Sequence, residues 1–189
     1  ICIASIWLKE ARAYLGSASI RLITVASFPT GALSTALKCR EIEEAVKAGA
    51  HEIDFVLNIG WLKEQRFQSI ENEFKQLVSV SDKILLKVIL ETCYLTTAEK
   101  EWACQAAISA GIAFVKTSTG FGTGGATIED TRLLRRWAPQ VKASGGIKDT
   151  SMALALLEAG ACRIGTSSGV AIMQGLSTAD HHFHVQNLY

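Results

Sequence analysis

The chain has 189 residues, 49% of them hydrophobic and 20% charged, and its 19 basic and 18 acidic side chains leave a net charge of +1. This composition is typical of one globular domain with a sizeable core, and it argues against a nucleic-acid partner or a basic membrane-binding surface. No apolar run reaches the roughly 18 residues that a membrane-spanning helix needs.

Apolar segments rich in β-branched residues predict seven strands, at residues 1–6, 21–28, 52–57, 83–90, 113–118, 140–144 and 163–166. Most of them lack polar alternation, which is typical of a parallel sheet covered on both faces. Helical patterns lie between the strands, at residues 34–48, 63–80, 97–110, 128–137 and 151–159. One predicted helix begins with Thr96 and Glu99 at the spacing of a capping box.

An alanine-glycine pair ends three of the helical patterns and leads straight into a strand, at Gly49, Gly111 and Gly160. Glycine at this position suits the left-handed residue that follows a helix. The repeat predicts βα units, and seven strands without a dinucleotide-binding glycine loop favour a closed barrel over an open sheet. Because eight units usually need about 250 residues, we predict a (β/α)8 TIM barrel that lacks its first βα unit. We assign it to residues 1–176 and interpret residues 177–189 as a polar tail.

Positions in the strands can be counted from these glycines. Asp54, Lys116 and Gly165 each follow one of them by five residues. If the connections share a geometry, these positions lie at one height on three strands and face the same way. Lys87 and Lys142 stand in two further strand segments. Charges in such segments are costly to bury unless they are paired or used in chemistry.

Several lysines at the mouth of a barrel predict covalent chemistry with a carbonyl compound. A lysine attacks a carbonyl only as the neutral amine, and its ordinary pKa near 10.4 leaves little amine at neutral pH. Burial and a second cation both lower that pKa, so a Schiff base is expected on one of these lysines. A nearby carboxylate such as Asp54 can then move the proton. The alternative is that the lysines form only buried ion pairs, with Asp54 or Glu91.

Two loops rich in glycine and hydroxyl residues follow the last two predicted strands, SGGIK at 144–148 and GTSSG at 165–169. Phosphate sites of these barrels commonly form from the last two βα loops, where glycines let backbone N–H groups approach the anion. The sequence therefore predicts a small phosphorylated substrate.

These features together resemble the deoxyribose-phosphate aldolase family of class I, Schiff-base aldolases. The resemblance covers residues 1 to about 176, and its segments are SFPTG at 27–31, EIDFV at 52–56, LKVILET at 86–92, KTSTG at 116–120, KASGG at 142–146 and RIGTSS at 163–168. It implies reversible cleavage of 2-deoxy-D-ribose 5-phosphate to D-glyceraldehyde 3-phosphate and acetaldehyde, with no cofactor and no metal.

The resemblance also implies roles for individual residues. Lys116 would form the Schiff base, Lys142 would perturb its pKa and assist proton transfer, and Asp54 would act in the proton relay. Lys87 and Cys2 would be supporting residues. The substrate phosphate would be held by Gly120, Gly145, Gly146, Lys148, Ser167 and Ser168.

The sequence departs from the family at both ends. The chain starts within what would be the second barrel strand, near Cys2, so an aspartate of the first strand is absent and two strand edges should be exposed. The tail contains His181, His182 and His184, which we interpret as a frayed terminus rather than a metal site. Two alternatives therefore stay open, another Schiff-base phosphosugar aldolase and an inactive truncated phosphate-binding barrel.

The sequence also gives an expectation for the cellular compartment and for the oligomeric state. The five cysteines show neither a C-x-x-C pair nor a zinc spacing, which favours small buried thiols in the reducing cytoplasm. Exposed strand edges would favour a homodimer or homotetramer.

Overall fold

A computed structural model describes residues 1–81, 84–112 and 114–178. Within them, one parallel sheet has the strand order β1-β2-β3-β4-β5-β6. Its strands are β1 (Ile23–Ala26), β2 (Glu52–Val56), β3 (Leu85–Ile89), β4 (Phe114–Lys116), β5 (Gln140–Ser144) and β6 (Arg163–Gly165). The helices are α1 (Leu8–Leu15), α2 (Thr35–Lys47), α3 (Ile59–Lys63), α4 (Phe67–Val80), α5 (Thr97–Ser109), α6 (Ile128–Trp137), α7 (Thr150–Glu158) and α8 (Gly169–Thr178).

The sheet curls as part of a barrel wall, because Arg163 on β6 reaches across the interior to Glu52 on β2. Its outer face is apolar and packs against the helices, as in the edge-to-face contact of Phe55 on β2 with Phe74 on α4, 5.7 Å between ring centroids. The inner face of β2 carries Glu52 and Asp54 instead, both fully buried. The barrel-type fold is thus confirmed, and charged side chains lie in its interior.

Local signals position most of the elements as predicted. The predicted capping box at the start of α5 is present, with Thr96 and Glu99 each accepting a hydrogen bond from the other's backbone N–H. Gly49, Gly111 and Gly160 have φ angles of 88°, 91° and 107°, the left-handed conformation expected after a helix.

The first predicted strand is wrong over most of its length. Residues 1–3 form only a parallel bridge, Cys2 to Ile23. The chain then turns into a 3-10 helix, Ser5–Trp7, in which the Trp7 N–H donates to the carbonyl of Ala4. Local hydrogen bonds replace the ladder there because Ile6, 76% exposed, has no core to pack against.

Two helical predictions also change. The helix predicted at residues 63–80 begins only at Phe67, as α4, because Gln65 adopts a left-handed φ of 55°. Lys63, its predicted first residue, instead ends the short helix α3. Residues 177 and 178, assigned to the tail, belong to α8, and the remainder of the predicted tail, with its three histidines, lies outside the described residues. No helix in the described part of the chain is long and apolar enough to cross a membrane.

Candidate active site

The hydrogen-bond register explains why residues equally far from their glycines meet in space. Asp54 pairs with Lys87, which pairs with Phe114, two residues before Lys116. In the same way Lys116 pairs with Lys142 on β5, which pairs with Arg163, two residues before Gly165. From each strand to the next, the position at the same distance from its glycine thus lies one residue beyond the hydrogen-bonded partner. A shift of one residue per strand is the stagger of an eight-stranded barrel with tilted strands. Positions related by this shift lie at the same height along the barrel axis. The register therefore agrees with the prediction that Asp54, Lys116 and Gly165 share one height.

Asp54 lies at the centre of the charged cluster. Its Oδ2 accepts a hydrogen bond from Nζ of Lys142 at 2.8 Å and lies 3.2 Å from Nζ of Lys116. Its Oδ1 accepts from Nζ of Lys87 at 2.8 Å. Burial alone would raise the pKa of this carboxyl, but the ammonium groups of Lys142, Lys116 and Lys87 outweigh it and lower the pKa to about 2. The group is therefore a carboxylate at neutral pH.

Lys116 ends β4 with only 7% of its side chain exposed. Burial is the main cause that lowers the pKa of this lysine, and the charge of Lys142 adds to it, whereas Asp54 and Cys2 act in the opposite direction. The net result is a pKa below that of an ordinary lysine, so a larger fraction of this amine is neutral and nucleophilic. The ring of Phe28 lies 6.0 Å from Nζ.

A second layer of charge lies beneath Asp54. Lys87 is fully buried and bridges two carboxylates, because its Nζ also lies 2.5 Å from Oε2 of Glu52. Glu52 in addition contacts Arg163 and, at 3.1 Å, Arg21. Burial would raise the pKa of Glu52, but hydrogen bonds from Lys87 and Arg163 lower it to about 2.

A cleft of about 710 Å³ opens above these groups. Lys116 and Lys142 line it, whereas Asp54 and Lys87 lie below its surface. Every residue that the sequence assigned to phosphate binding also lines the cleft: Gly120, Gly145, Gly146, Lys148, Ser167 and Ser168. Cys2, predicted as a supporting residue, forms part of the wall.

The glycines of the cleft allow backbones to approach closely. Gly145 has a φ of 89°, and a Cβ built on Gly125 would lie 2.2 Å from its carbonyl oxygen. The N–H of Ala126 donates to that same oxygen at 3.0 Å. The loop that follows β4 thus packs directly on the loop that follows β5, and a side chain at Gly125 would separate them.

Of the two carboxylates named in the ion-pair interpretation, Asp54 does pair with the strand lysines, whereas Glu91 has other partners. Its carboxylate accepts hydrogen bonds from the N–H of Thr119, at 3.2 Å, and from the Thr119 hydroxyl. Glu91 itself has a left-handed φ of 54° at the end of β3. It therefore tethers the loop beside the cleft, and the strand lysines pair with Asp54 and Glu52 instead.

Residues of the site that were not assigned from the sequence include Glu52, Arg163, Phe28 and Phe121. Glu52 stands two residues before Asp54, and the period of a strand would have placed both side chains on one face. Phe28 lines the cleft and contacts Phe121 edge to face, at 5.4 Å between ring centroids. No sequence signal separates these two aromatic residues from core residues. Among the described residues, no cluster of three His, Cys, Asp or Glu side chains is arranged to hold a metal ion.

Comparison with known proteins gives a consistent result. The model of the DeoC/LacD family aldolases matches residues 17–175. The chain is 48% identical to the deoxyribose-phosphate aldolase of Carboxydothermus hydrogenoformans, over 96% of this chain and 83% of that protein. Among solved structures, the aldolase QR15 is 38% identical with a TM-score of 0.88, covering 94% of this chain and 80% of that one. The tetrameric deoxyribose phosphate aldolase of Aeropyrum pernix is 26% identical with a TM-score of 0.86, and the match covers 95% of this chain and 77% of that one.

Proposed function

Because this chain belongs to the DeoC/LacD family of aldolases, we propose that it is a deoxyribose-phosphate aldolase. It cleaves 2-deoxy-D-ribose 5-phosphate reversibly to D-glyceraldehyde 3-phosphate and acetaldehyde. The observation that carries the proposal is the buried amine of Lys116, with a lowered pKa, which shares the Asp54 carboxylate with Lys142 at the surface of the cleft.

The phosphate of the substrate binds where the two glycine-rich loops line the cleft. Lys148 supplies a positive charge, and Ser167 and Ser168 supply hydroxyl donors. Gly145 and Gly146 have no Cβ to stand between the anion and the peptide N–H groups, and both adopt the left-handed φ that glycine favours. The phosphate then fixes the sugar so that its aldehyde reaches Lys116.

The reaction begins when the neutral amine of Lys116 adds to C1 of the open-chain sugar, and loss of water gives a protonated Schiff base. Removal of the C3 hydroxyl proton sends its electrons into a new C=O bond, while the C2–C3 bonding pair moves to the iminium. Glyceraldehyde 3-phosphate leaves, and an enamine remains on Lys116. Protonation at C2 and hydrolysis of the iminium release acetaldehyde and restore the amine.

Asp54 and Lys142 carry the protons in these steps, because they contact each other at 2.8 Å and the Asp54 carboxylate lies 3.2 Å from Nζ of Lys116. Lys87 supports them by holding the second oxygen of Asp54, and Cys2 shapes the wall of the cleft. The iminium itself is the electron sink, so the proposed reaction needs no metal and no organic cofactor.

We also propose a cytoplasmic location and assembly as a homodimer or homotetramer. All five cysteines lie in the described part of the chain as free thiols, which suits a reducing compartment. The predicted burial holds for Cys104 and is wrong for Cys2, Cys93 and Cys162, which are exposed. The tetrameric relative from Aeropyrum pernix supports self-association.

Borohydride trapping tests the proposed function. The protein is incubated with 2-deoxyribose 5-phosphate, reduced, digested and mapped by mass spectrometry. The expected adduct lies on Lys116 and is lost in Lys116→Ala, which should stay folded by circular dichroism, while the exposed-lysine control Lys47→Ala keeps it. A donor screen separates acetaldehyde from other carbonyl donors. A folded parent that forms no adduct would instead indicate a phosphate-binding barrel without activity.

A further inference from the structure

From Lys116 at the surface of the cleft down through the barrel interior, five charged side chains alternate in sign. Arg163 contacts Glu52, Glu52 contacts Lys87, Lys87 contacts Asp54, and Asp54 contacts Lys116. Lys87 is the shared member of two carboxylate contacts, 2.5 Å from Glu52 and 2.8 Å from Asp54. The side chains of Glu52, Asp54 and Lys87 are all 0% exposed, so water screens these contacts little.

The charged groups around each end of this chain of contacts are known. Glu52 faces Arg21, which precedes β1, together with Lys87 on β3 and Arg163 on β6. Phe114 on β4 fills the space beside these cations, with its ring centroid 5.7 Å from Nζ of Lys87 and 4.8 Å from Cζ of Arg163.

At the upper end, the groups around Lys116 are Asp54 on β2, Lys142 on β5 and the Cys2 thiol. Glu52 does not contact Lys116. Any influence of Glu52 on the amine therefore passes through Lys87 and Asp54, or acts through its charge.

We propose that Glu52 is a positioning residue for the reaction: by sharing Lys87 with Asp54, it limits how tightly Lys87 holds that carboxylate and so sets how strongly Asp54 attracts the amine end of Lys116. The inference rests on the proposed function of Lys116. Glu52 lies below the cleft and touches no substrate, so its effect is on the protonation of the amine and not on substrate binding.

The direction of the effect follows from the contacts. Without the Glu52 charge, Lys87 has Asp54 as its one remaining carboxylate among these contacts, and Asp54 is drawn away from Lys116. The interior also loses a negative charge. Both changes disfavour protonated Lys116, so Glu52→Gln should move the acidic limb of kcat/KM to lower pH by about one unit.

Removal of Arg163 should act in the opposite direction. Without Arg163, Glu52 attracts Lys87 more strongly, so Lys87 releases Asp54 toward Lys116, and the interior loses a positive charge. Arg163→Gln should therefore move the acidic limb to higher pH, by less than one unit because the Arg163 side chain is 33% exposed and partly screened.

The experiment measures kcat/KM for 2-deoxyribose 5-phosphate against pH for the parent, Glu52→Gln and Arg163→Gln, with folding checked by circular dichroism. Because kcat/KM reports the free enzyme, its acidic limb follows the ionisation of Lys116. Glu73→Gln is the matched control. It breaks an equally buried pair, Glu73 with Lys38 at 2.7 Å between α4 and α2, so it should weaken folding without moving the limb.

Opposite shifts of the two variants with a stationary Glu73→Gln profile support the inference. If both limbs stay in place, or move in the same direction, Glu52 is structural only. If Glu52→Gln does not fold, Arg163→Gln alone decides, and an unmoved limb overturns the inference. A parent that shows neither turnover nor a trapped adduct overturns the proposed function and this inference with it, whereas an active parent with unmoved variants overturns only the inference.

Discussion

Replacement of Asp54 by asparagine should destabilise the protein strongly and in a pH-dependent way. The change removes the carboxylate that Lys87, Lys116 and Lys142 share, with almost no change in volume. The pKa of Asp54 is about 2, against an ordinary 3.8, and this difference corresponds to about 2 kcal/mol at neutral pH. Ammonium groups left without their partner raise the cost toward the roughly 3–5 kcal/mol typical of a broken buried pair. We therefore expect a loss of about 2–5 kcal/mol at pH 7 from a total that is commonly about 5–15 kcal/mol.

The pH dependence has a definite sign. Because the folded pKa lies below the unfolded one, the stabilisation by Asp54 is complete above pH 4 and is lost as pH falls through about 2. The difference in unfolding free energy between wild type and D54N should therefore shrink from pH 7 to pH 3.

Urea unfolding followed by circular dichroism at both pH values measures this difference, with E44Q as the control. That variant breaks an exposed pair with Lys47 and should leave the unfolding free energy unchanged. Equal stability of D54N and wild type at pH 7, or a difference of the same size at pH 3, would refute the argument that the ionised carboxylate is the stabilising group.

Two further changes test the cleft. Lys142→Met removes a charge that lowers the pKa of Lys116, so the acidic limb of kcat/KM should move to higher pH, and a pH profile with an unmoved limb would contradict this electrostatic role. Gly125→Ala places a Cβ 2.2 Å from the Gly145 carbonyl oxygen and should separate the two loops, which we expect to raise KM for the phosphorylated substrate by about tenfold, or about 1.4 kcal/mol. Gly49→Ala is the control in steady-state kinetics. Its new Cβ would meet no neighbouring atom but would strain a backbone φ of 88°, so it should lower stability by about 1 kcal/mol and leave KM unchanged. An unaltered KM in Gly125→Ala would argue against phosphate contact by these loops.

The amino-acid sequence predicted the barrel and most of the cleft through short-range signals. Glycines after the helices, such as Gly49 and Gly111, mark where each strand begins. Counting from them placed Asp54 and Lys116 at one height, because each βα unit repeats the same local geometry and the strand period decides which side chains face inward. The glycine-rich loops were likewise found from composition and from their place after the last strands.

The first predicted strand shows the limit of such signals. An apolar segment forms a strand only where it finds a hydrogen-bonding partner and a core to cover. Residues 1–3 form hydrogen bonds with β1, whereas Ile6 is exposed, has no strand partner and lies in a 3-10 helix. The break between α3 and α4 at Gln65 likewise depends on a left-handed residue that the helical pattern does not mark.

What the sequence by itself determined is the set of residues that face the barrel interior, since that depends on strand period and on distance from the preceding helix. Only the tertiary structure decided which of them touch. Lys142 and Asp54 are 88 residues apart and come within 2.8 Å, and Arg163 and Glu52 meet across 111 residues. The curl and stagger of the whole sheet bring these pairs together, so the partners of each charge, and the direction in which each pKa moves, follow from the packing of all six described strands.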